Sequence, residues 1–305
     1  MTMIKYSPLV RRIRLGNALR KMRESRNLTA DEAAKVAFLS RTKLSKLESG
    51  QIRPDVAELM EVMERLGVTG KEYDKILRLA RDAARKGWWD RYANVMGRRQ
   101  RVFADLEFGA ESIRDYDPHG IPAIFQTPEF IDSLVELDQA SGPLSYRPDR
   151  MAEARLQRQQ VLLGPNGPTY DAVLDEIVIR RLDVPEPVMA AQLRHMVAMA
   201  STEPRITLRV LRCNTRIRGS LLPRSSFVLY TFRDKGDPSV VVVDTITTDL
   251  VLTERNQVAK YTGLYDRIRK AALPQEESLD FLRDVAEQLT NEAGTAHDQA
   301  VLPVA

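Results

Sequence analysis

Cysteine is almost missing from these 305 residues. Cys213 alone excludes an intramolecular disulfide and any cysteine-cluster metal site. Histidine is scarce too: His119, His195 and His297 stand far apart, and a metal site needs several ligands converging, so no metal and no cofactor are expected. No apolar run approaches the roughly 18 residues of a membrane span, and no membrane partner is expected. The N-terminal MTMIKYSPLVRRIRLG lacks the apolar core and cleavage site of a secretory signal, which leads to a cytoplasmic expectation. No Walker-type or G-x-G-x-x-G phosphate loop occurs. Asp175 and Glu176 are neighbours, which on a strand point to opposite faces and do not make an acid/base pair. His195, beside Met196 and Met199, is expected to be partly buried on an amphipathic helix. Cys213 is expected as a small buried or edge residue after a strand. Without a converging catalytic set, the chain is expected not to be an enzyme.

What is present is charge, unevenly placed. Residues 1–86 hold 20 Lys and Arg against 11 Asp and Glu, a balance of +9, whereas the remainder is at −5. A basic head on a mildly acidic body suits a polyanion-binding module joined to one of another kind. The head carries helical stripes at Leu15, Leu19 and Met22, then at Val56, Leu59, Met60, Met63 and Leu66, then at Tyr73, Ile76, Leu77 and Ala80. Two shorter helical segments lie between the first two stripes. The fold class is therefore an all-α N-terminal domain of five short helices, over 1–86. An α+β domain is expected over 87–290, with strands at Ile206–Leu211, Ser226–Phe232, Ser239–Asp244 and Leu250–Thr253 and a hairpin turn at Lys235–Pro238. Helices are expected at 149–163, 186–200, 254–272 and 276–290, and a frayed tail over 291–305.

The stretch Leu28–Asp55, LTADEAAKVAFLSRTKLSKLESGQIRPD, reads as two helices joined by a tight turn. Thr29 with Glu32 forms a capping box, and Ser40 caps the second helix. Gly50 suits a left-handed C-cap. Leu44 and Leu47 face inward, while Arg41, Thr42, Lys43, Ser45 and Lys46 face outward near the helix N-terminus, the part of a recognition helix that reaches base edges. This stretch closely resembles the helix-turn-helix of the XRE family, the lambda Cro and repressor type, without a gap from Leu28 to Gly50. The resemblance implies double-stranded DNA as partner. Thr29, Ser40, Arg41, Thr42, Lys43, Ser45, Lys46 and Arg53 are the candidate DNA contacts, with Arg11, Arg12 and Arg14 as further phosphate contacts. It also implies a bracing role for Glu48, paired with a basic residue. Two departures stand out. Ala30 replaces the family's glutamine, and Phe38 replaces its turn glycine, so the turn is expected to avoid the left-handed region or to pay about 1 kcal/mol or more for it, with the Phe38 ring tucked against the core.

Beyond residue 87 the runs W-W-D-x-Y (Trp88–Tyr92), I-P-A-I-F-Q-T-P-E-F (Ile121–Phe130), V-L-D-E (Val173–Glu176) and the ending Val258–Leu273 are similar to the C-terminal domain of a large group of actinomycete XRE-type regulators. That resemblance names no ligand. Trp88, Trp89, Tyr92, Phe125 and Phe130 are candidates for an apolar ligand or partner pocket, with a plain core as the alternative. Arg180 and Arg181 are candidates for an anion or for a surface salt bridge. The expected mode of action is a homodimeric transcriptional regulator with a sensing or partner-binding second domain, acted on by a small-molecule effector or a small partner protein. The alternative is an antitoxin-like protein that sequesters a small partner and autoregulates its operon.

Overall fold

The computed structural model describes residues 5–144, 146–181, 184–219, 225–245 and 249–300, with 293–300 described by backbone alone. The helical N-terminal region holds α1 (Pro8–Ser25), α2 (Ala30–Ala37), α3 (Arg41–Glu48), α4 (Val56–Arg65) and α5 (Gly70–Ala84). A 3₁₀ helix (Trp88–Tyr92), α6 (Arg98–Gly109) and β1 (Ala110–Asp117) follow. Next come α7 (Pro128–Ser141), α8 (Pro148–Leu163), β2 (Thr169–Asp175), α9 (Glu176–Arg180), α10 (Glu186–Thr202) and β3 (Ile206–Leu211). The chain closes with β4 (Phe227–Phe232), β5 (Val240–Val243), β6 (Leu250–Leu252), α11 (Arg255–Ala271) and α12 (Gln275–Ala300). The last helix continues past residue 291, where a tail was expected, and residues 301–305 lie outside the described ones.

The chain divides into two compact units, the first reaching Ala110 and including Thr231–Pro238, the second made of Glu111–Tyr230 and Ser239 onward. In the first unit one device ends four successive helices. Asn27, Phe38, Gly50 and Gly67 all adopt φ between 54° and 68°. After each, the next N–H bonds back to a carbonyl in the helix's last turn: Leu28 to Arg23, Leu39 to Ala34, Gln51 to Lys46 and Val68 to Met63, at 2.9–3.2 Å. This is the double hydrogen-bonded stop that satisfies the last carbonyls of a helix. The starts are equally local, since the side chains of Ser7, Thr29, Ser40 and Asp55 each accept from an N–H of the following turn. Leu15, Leu19, Met22, Leu47, Leu59, Met63, Ile76 and Ala80 meet in the core.

The second unit is an α/β domain with a sheet of order β3-β2-β1-β4-β5-β6. β1, β2 and β3 are parallel, with Ile113 opposite Tyr170 and Tyr170 opposite Ile206. β4, β5 and β6 are antiparallel. Helices α7 and α8 make the first parallel crossover, and α9 and α10 the second. Two strands beyond the four expected, β1 and β2, thus join the expected β3 to form the parallel half.

Candidate nucleic-acid interface

Helices α2 and α3 are each capped at the N-terminus by a side chain. The Thr29 Oγ1 accepts from the Glu32 N–H at 3.3 Å, and Glu32 Oε2 accepts from the Thr29 N–H at 2.8 Å and its hydroxyl at 2.7 Å. These bonds hold the Glu32 carboxyl below its ordinary range. Thr29 is therefore committed to the cap. Ser40 Oγ accepts from the Lys43 N–H at 3.1 Å, which leaves its hydroxyl hydrogen to donate outward.

Between the two helices, Ala33, Ala34 and Leu44 form a small buried cluster. The alanines let α3 come close, and Leu44 and Leu47 point it inward. The opposite face presents Arg41, Thr42, Ser45 and Lys46 to solvent, with Lys43 half-buried beside them. The cations differ in their attachments. Arg41 Nε lies 3.3 Å from Asp31, Lys43 Nζ 2.5 Å from Glu58, and Arg53 reaches both oxygens of Asp90 at 2.9 and 3.1 Å. Among the described residues, the side chains of Thr42, Ser45 and Lys46 have no hydrogen-bond or ion-pair partner in the protein. Exposed ion pairs of this kind are worth about 0–1 kcal/mol, so a phosphate or guanine edge can take over a cation at small cost.

Three expected phosphate contacts are placed otherwise. Arg11 and Arg14 both bond Asp234, at 2.9 and 2.8 Å, and Asp237, at 3.3 and 3.1 Å. Arg12 faces the buried Asp105 at 3.6 Å. Burial pushes Asp105 up to about 6, against Arg12 and hydrogen bonds from Ser7 and the Leu9 N–H. The Gly236 N–H, outweighing burial together with Arg14 and Arg11, draws Asp234 down to about 2. These arginines fasten α1 within the first unit and are not a phosphate-facing row.

The ring of Phe38 also departs from expectation, while its backbone takes the costly left-handed alternative. It adopts φ 54°, ψ 36°, and its side chain is 80% exposed, lying under the Arg65 guanidinium at 4.4 Å from the ring centroid. The stop after α2 needs a left-handed residue, and that geometry throws the ring outward. At this position glycine is expected to be more stable than alanine by about 1 kcal/mol, the reverse of the usual helical order. Both variants lose the Arg65 contact, so their urea midpoints isolate the backbone term.

The five candidate pocket aromatics are divided between the two units. Trp88, Trp89 and Tyr92 belong to the first unit, where Trp88 stands edge-on to Trp89 and Tyr92 at 6.0 and 5.9 Å, and Trp89 to Phe108 at 5.7 Å. Trp89 and Tyr92 are buried. In the second unit Phe125 is fully buried edge-on to Tyr170 at 5.8 Å, whereas Phe130 lines a cavity of about 310 Å³. Arg180 pairs with Glu176 at 2.6 Å, and Arg181 borders the same cavity as Phe130. Cys213 is exposed just past the edge strand β3, the edge alternative of its expectation, and His195 stands on the outer side of α10, where partial burial lowers its imidazole pKa. The side chain of His297 lies outside the described ones. No helix among the described residues is long and apolar enough to cross a membrane.

Sequence reasoning missed the carboxylates Asp31, Glu58 and Asp90 that hold the interface cations. Asp31 and Glu58 sit two and three residues after their N-caps, where acidic residues are ordinary, so nothing marked them as partners.

Comparison with known families agrees with this geometry. A helix-turn-helix domain family matches residues 14–76, which contain α2 and α3. The family described as a domain of unknown function (DUF5753) matches residues 100–284. No curated protein and no solved structure matches the chain. The first unit thus carries a helix-turn-helix domain suited to binding DNA, and, with more than half its length matched, the chain belongs to the DUF5753 family.

Proposed function

We propose that this protein is a sequence-specific transcriptional regulator of the XRE type that lays α3 in the major groove. The observation that carries the proposal is the two-faced α3. Leu44 and Leu47 are buried, while Arg41, Thr42, Ser45 and Lys46 crowd the outer face beside Lys43. Ser40 and Arg53 flank that face, and both suit phosphates better than bases. One such helix makes few base contacts, and two half-sites read by a homodimer supply useful specificity. The second unit is the sensing or partner-binding part, and an effector acts by preferring one state of the protein over another. The reading is of a binding protein working in the cytoplasm, not of an enzyme. It is supported by Asp175, which caps α9 through the Ile177 N–H, and by Glu176, which is committed to Arg180 and Arg212.

The test is fluorescence anisotropy on the promoter fragment that the purified protein protects. Arg41→Ala is expected to cost about 1–3 kcal/mol and to relax specificity at one base pair. Lys46→Ala is expected to weaken binding across sequences and to reduce the salt slope by about 1. Unchanged affinity and specificity in an Arg41→Ala, Lys43→Ala double variant would overturn the assignment of α3.

A further inference from the structure

We infer that the 310 Å³ cavity of the second unit is a binding site for a small carboxylic acid with an apolar body, since the space matches on the order of ten waters at about 30 Å³ each. The inference deepens the sensing role proposed above and rests on it only for the regulatory consequence, since binding is tested directly.

Position is the first argument. The chain leaves β1 for β2 and then β3 on one side, and returns to β4 on the other side of β1. Such a reversal opens a crevice at the carboxyl ends of a parallel sheet, where ligands of open sheets bind. The cavity lies at the carboxyl ends of β1 and β2, on the parallel side of that reversal: its lining begins at Pro118, directly after β1, and resumes at Ile177, two residues after β2.

Chemistry is the second argument. Ile121, Phe130, Leu134, Ile177, Val178 and Met189 supply apolar walls. The polar groups near them are mostly committed. Asp117 Oδ1, at the end of β1, accepts from the N–H groups of His119 and Gly120 at 2.8 and 3.1 Å. Gln126 donates to the Ile121 carbonyl at 2.8 Å and accepts from Arg155 at 3.2 Å. Among the side chains on the lining itself, what remains is Arg181 and His119. Arg181 borders the cavity, is exposed, and has no side-chain hydrogen bond or ion pair among the described residues, and the exposed His119 stands on the same lining. A guanidinium fork matches a carboxylate with two parallel hydrogen bonds. A sugar or a nucleotide would require more uncommitted polar partners than these walls offer, whereas an apolar body displaces water from six hydrophobic side chains.

The probe is octanoate, titrated calorimetrically into the full chain, with octan-1-ol and octylammonium as partners of the same body. Octanoate is expected to bind below about 1 mM and more tightly than either control. Arg181→Gln, a surface change that does not threaten folding, is expected to weaken octanoate about tenfold and to leave octanol nearly unchanged. Leu134→Trp is expected to abolish binding by filling the cavity, with Ile177→Trp in its place if circular dichroism shows loss of structure. Absence of octanoate binding at about 5 mM, equal affinity for octanoate and octanol, or indifference to Arg181→Gln would each overturn the inference. Those failures leave the DNA-binding proposal untouched. Conversely, octanoate binding without any change in promoter affinity would sustain the site and remove its sensing role.

Discussion

Glu48→Ala is expected to destabilise the first unit by about 3–5 kcal/mol, the cost of leaving one member of a buried ion pair alone. Glu48 is 6% exposed. Its carboxylate accepts from Arg23 Nε at 2.7 Å and from Arg23 Nη2 at 3.0 Å, and Arg20 stands 3.7 Å away. The forked pair ties the end of α3 to α1, and the Arg23 pKa is raised by the same bonds. Arg23 also donates to the Leu28 carbonyl at 3.0 Å, which fastens the start of the helix-turn-helix. The backbones approach closely at the same joint: a Cβ on Gly16 of α1 would fall 2.4 Å from the Glu48 carbonyl oxygen. Removing the carboxylate therefore loosens the orientation of α3, and promoter affinity should fall with stability. Urea denaturation measures the first effect and anisotropy the second. Arg23→Met with Glu48→Leu removes both charges and fills the space, so the double variant should recover part of the loss. A single Glu48→Ala variant within about 1 kcal/mol of the parent would show that the pair does not brace the fold.

The legible parts of this chain are those whose signals are local. The capping box at Thr29, the left-handed stop at Gly50 and the i, i+3 burial of Leu44 and Leu47 lie within one or two turns, and they mark α2 and α3 in sequence. The candidate interface was legible for the same reason: Leu44 and Leu47 turn α3 so that Arg41 to Lys46 divide as the spacing requires. What was not legible depended on residues far away in the chain. Arg11 and Arg14 look like a basic row until Asp234 and Asp237, more than 200 positions later, are placed beside them. β1 hides because its sequence, AESIRDYD, carries charges in place of an apolar run. Asp115, central in that strand, is buried and accepts from the Tyr170 hydroxyl of β2 at 2.5 Å. Phe38 misled for a different reason. Bulk and apolarity argue for burial, but the backbone stop decided the direction of the side chain, at a conformational cost that only the geometry reveals.

Glu176→Ala is expected to cost the second unit up to about 3 kcal/mol at neutral pH, and the loss should vanish in acid. Burial alone would raise this carboxyl, but hydrogen bonds from Arg180, the Cys213 N–H and Arg212 bring it down to about 2 from an ordinary 4.5. In the unfolded chain the group titrates near its ordinary value. The folded state therefore holds fewer protons between these two values, and stability is present in full above the upper one and drains away as pH falls towards the lower. Arg180 and Arg212 are 47% and 36% exposed, so each can rehydrate when its partner goes, which keeps the neutral-pH loss at or below the linkage figure. Both guanidiniums also lie over the Phe281 ring of α12, at 5.3 and 4.5 Å, so the carboxylate sets the arginines that cover this helix. Thermal midpoints of parent and variant at pH 7 and pH 3 test the argument. The parent should lose stability more steeply than Glu176→Ala across that interval. Glu176→Gln, which keeps an acceptor but cannot ionise, should follow the shallow profile of the alanine variant while starting from a higher midpoint. Parallel profiles for all three would mean that another group governs the acid limb, because a carboxylate held by two arginines and a backbone N–H cannot be removed without flattening it.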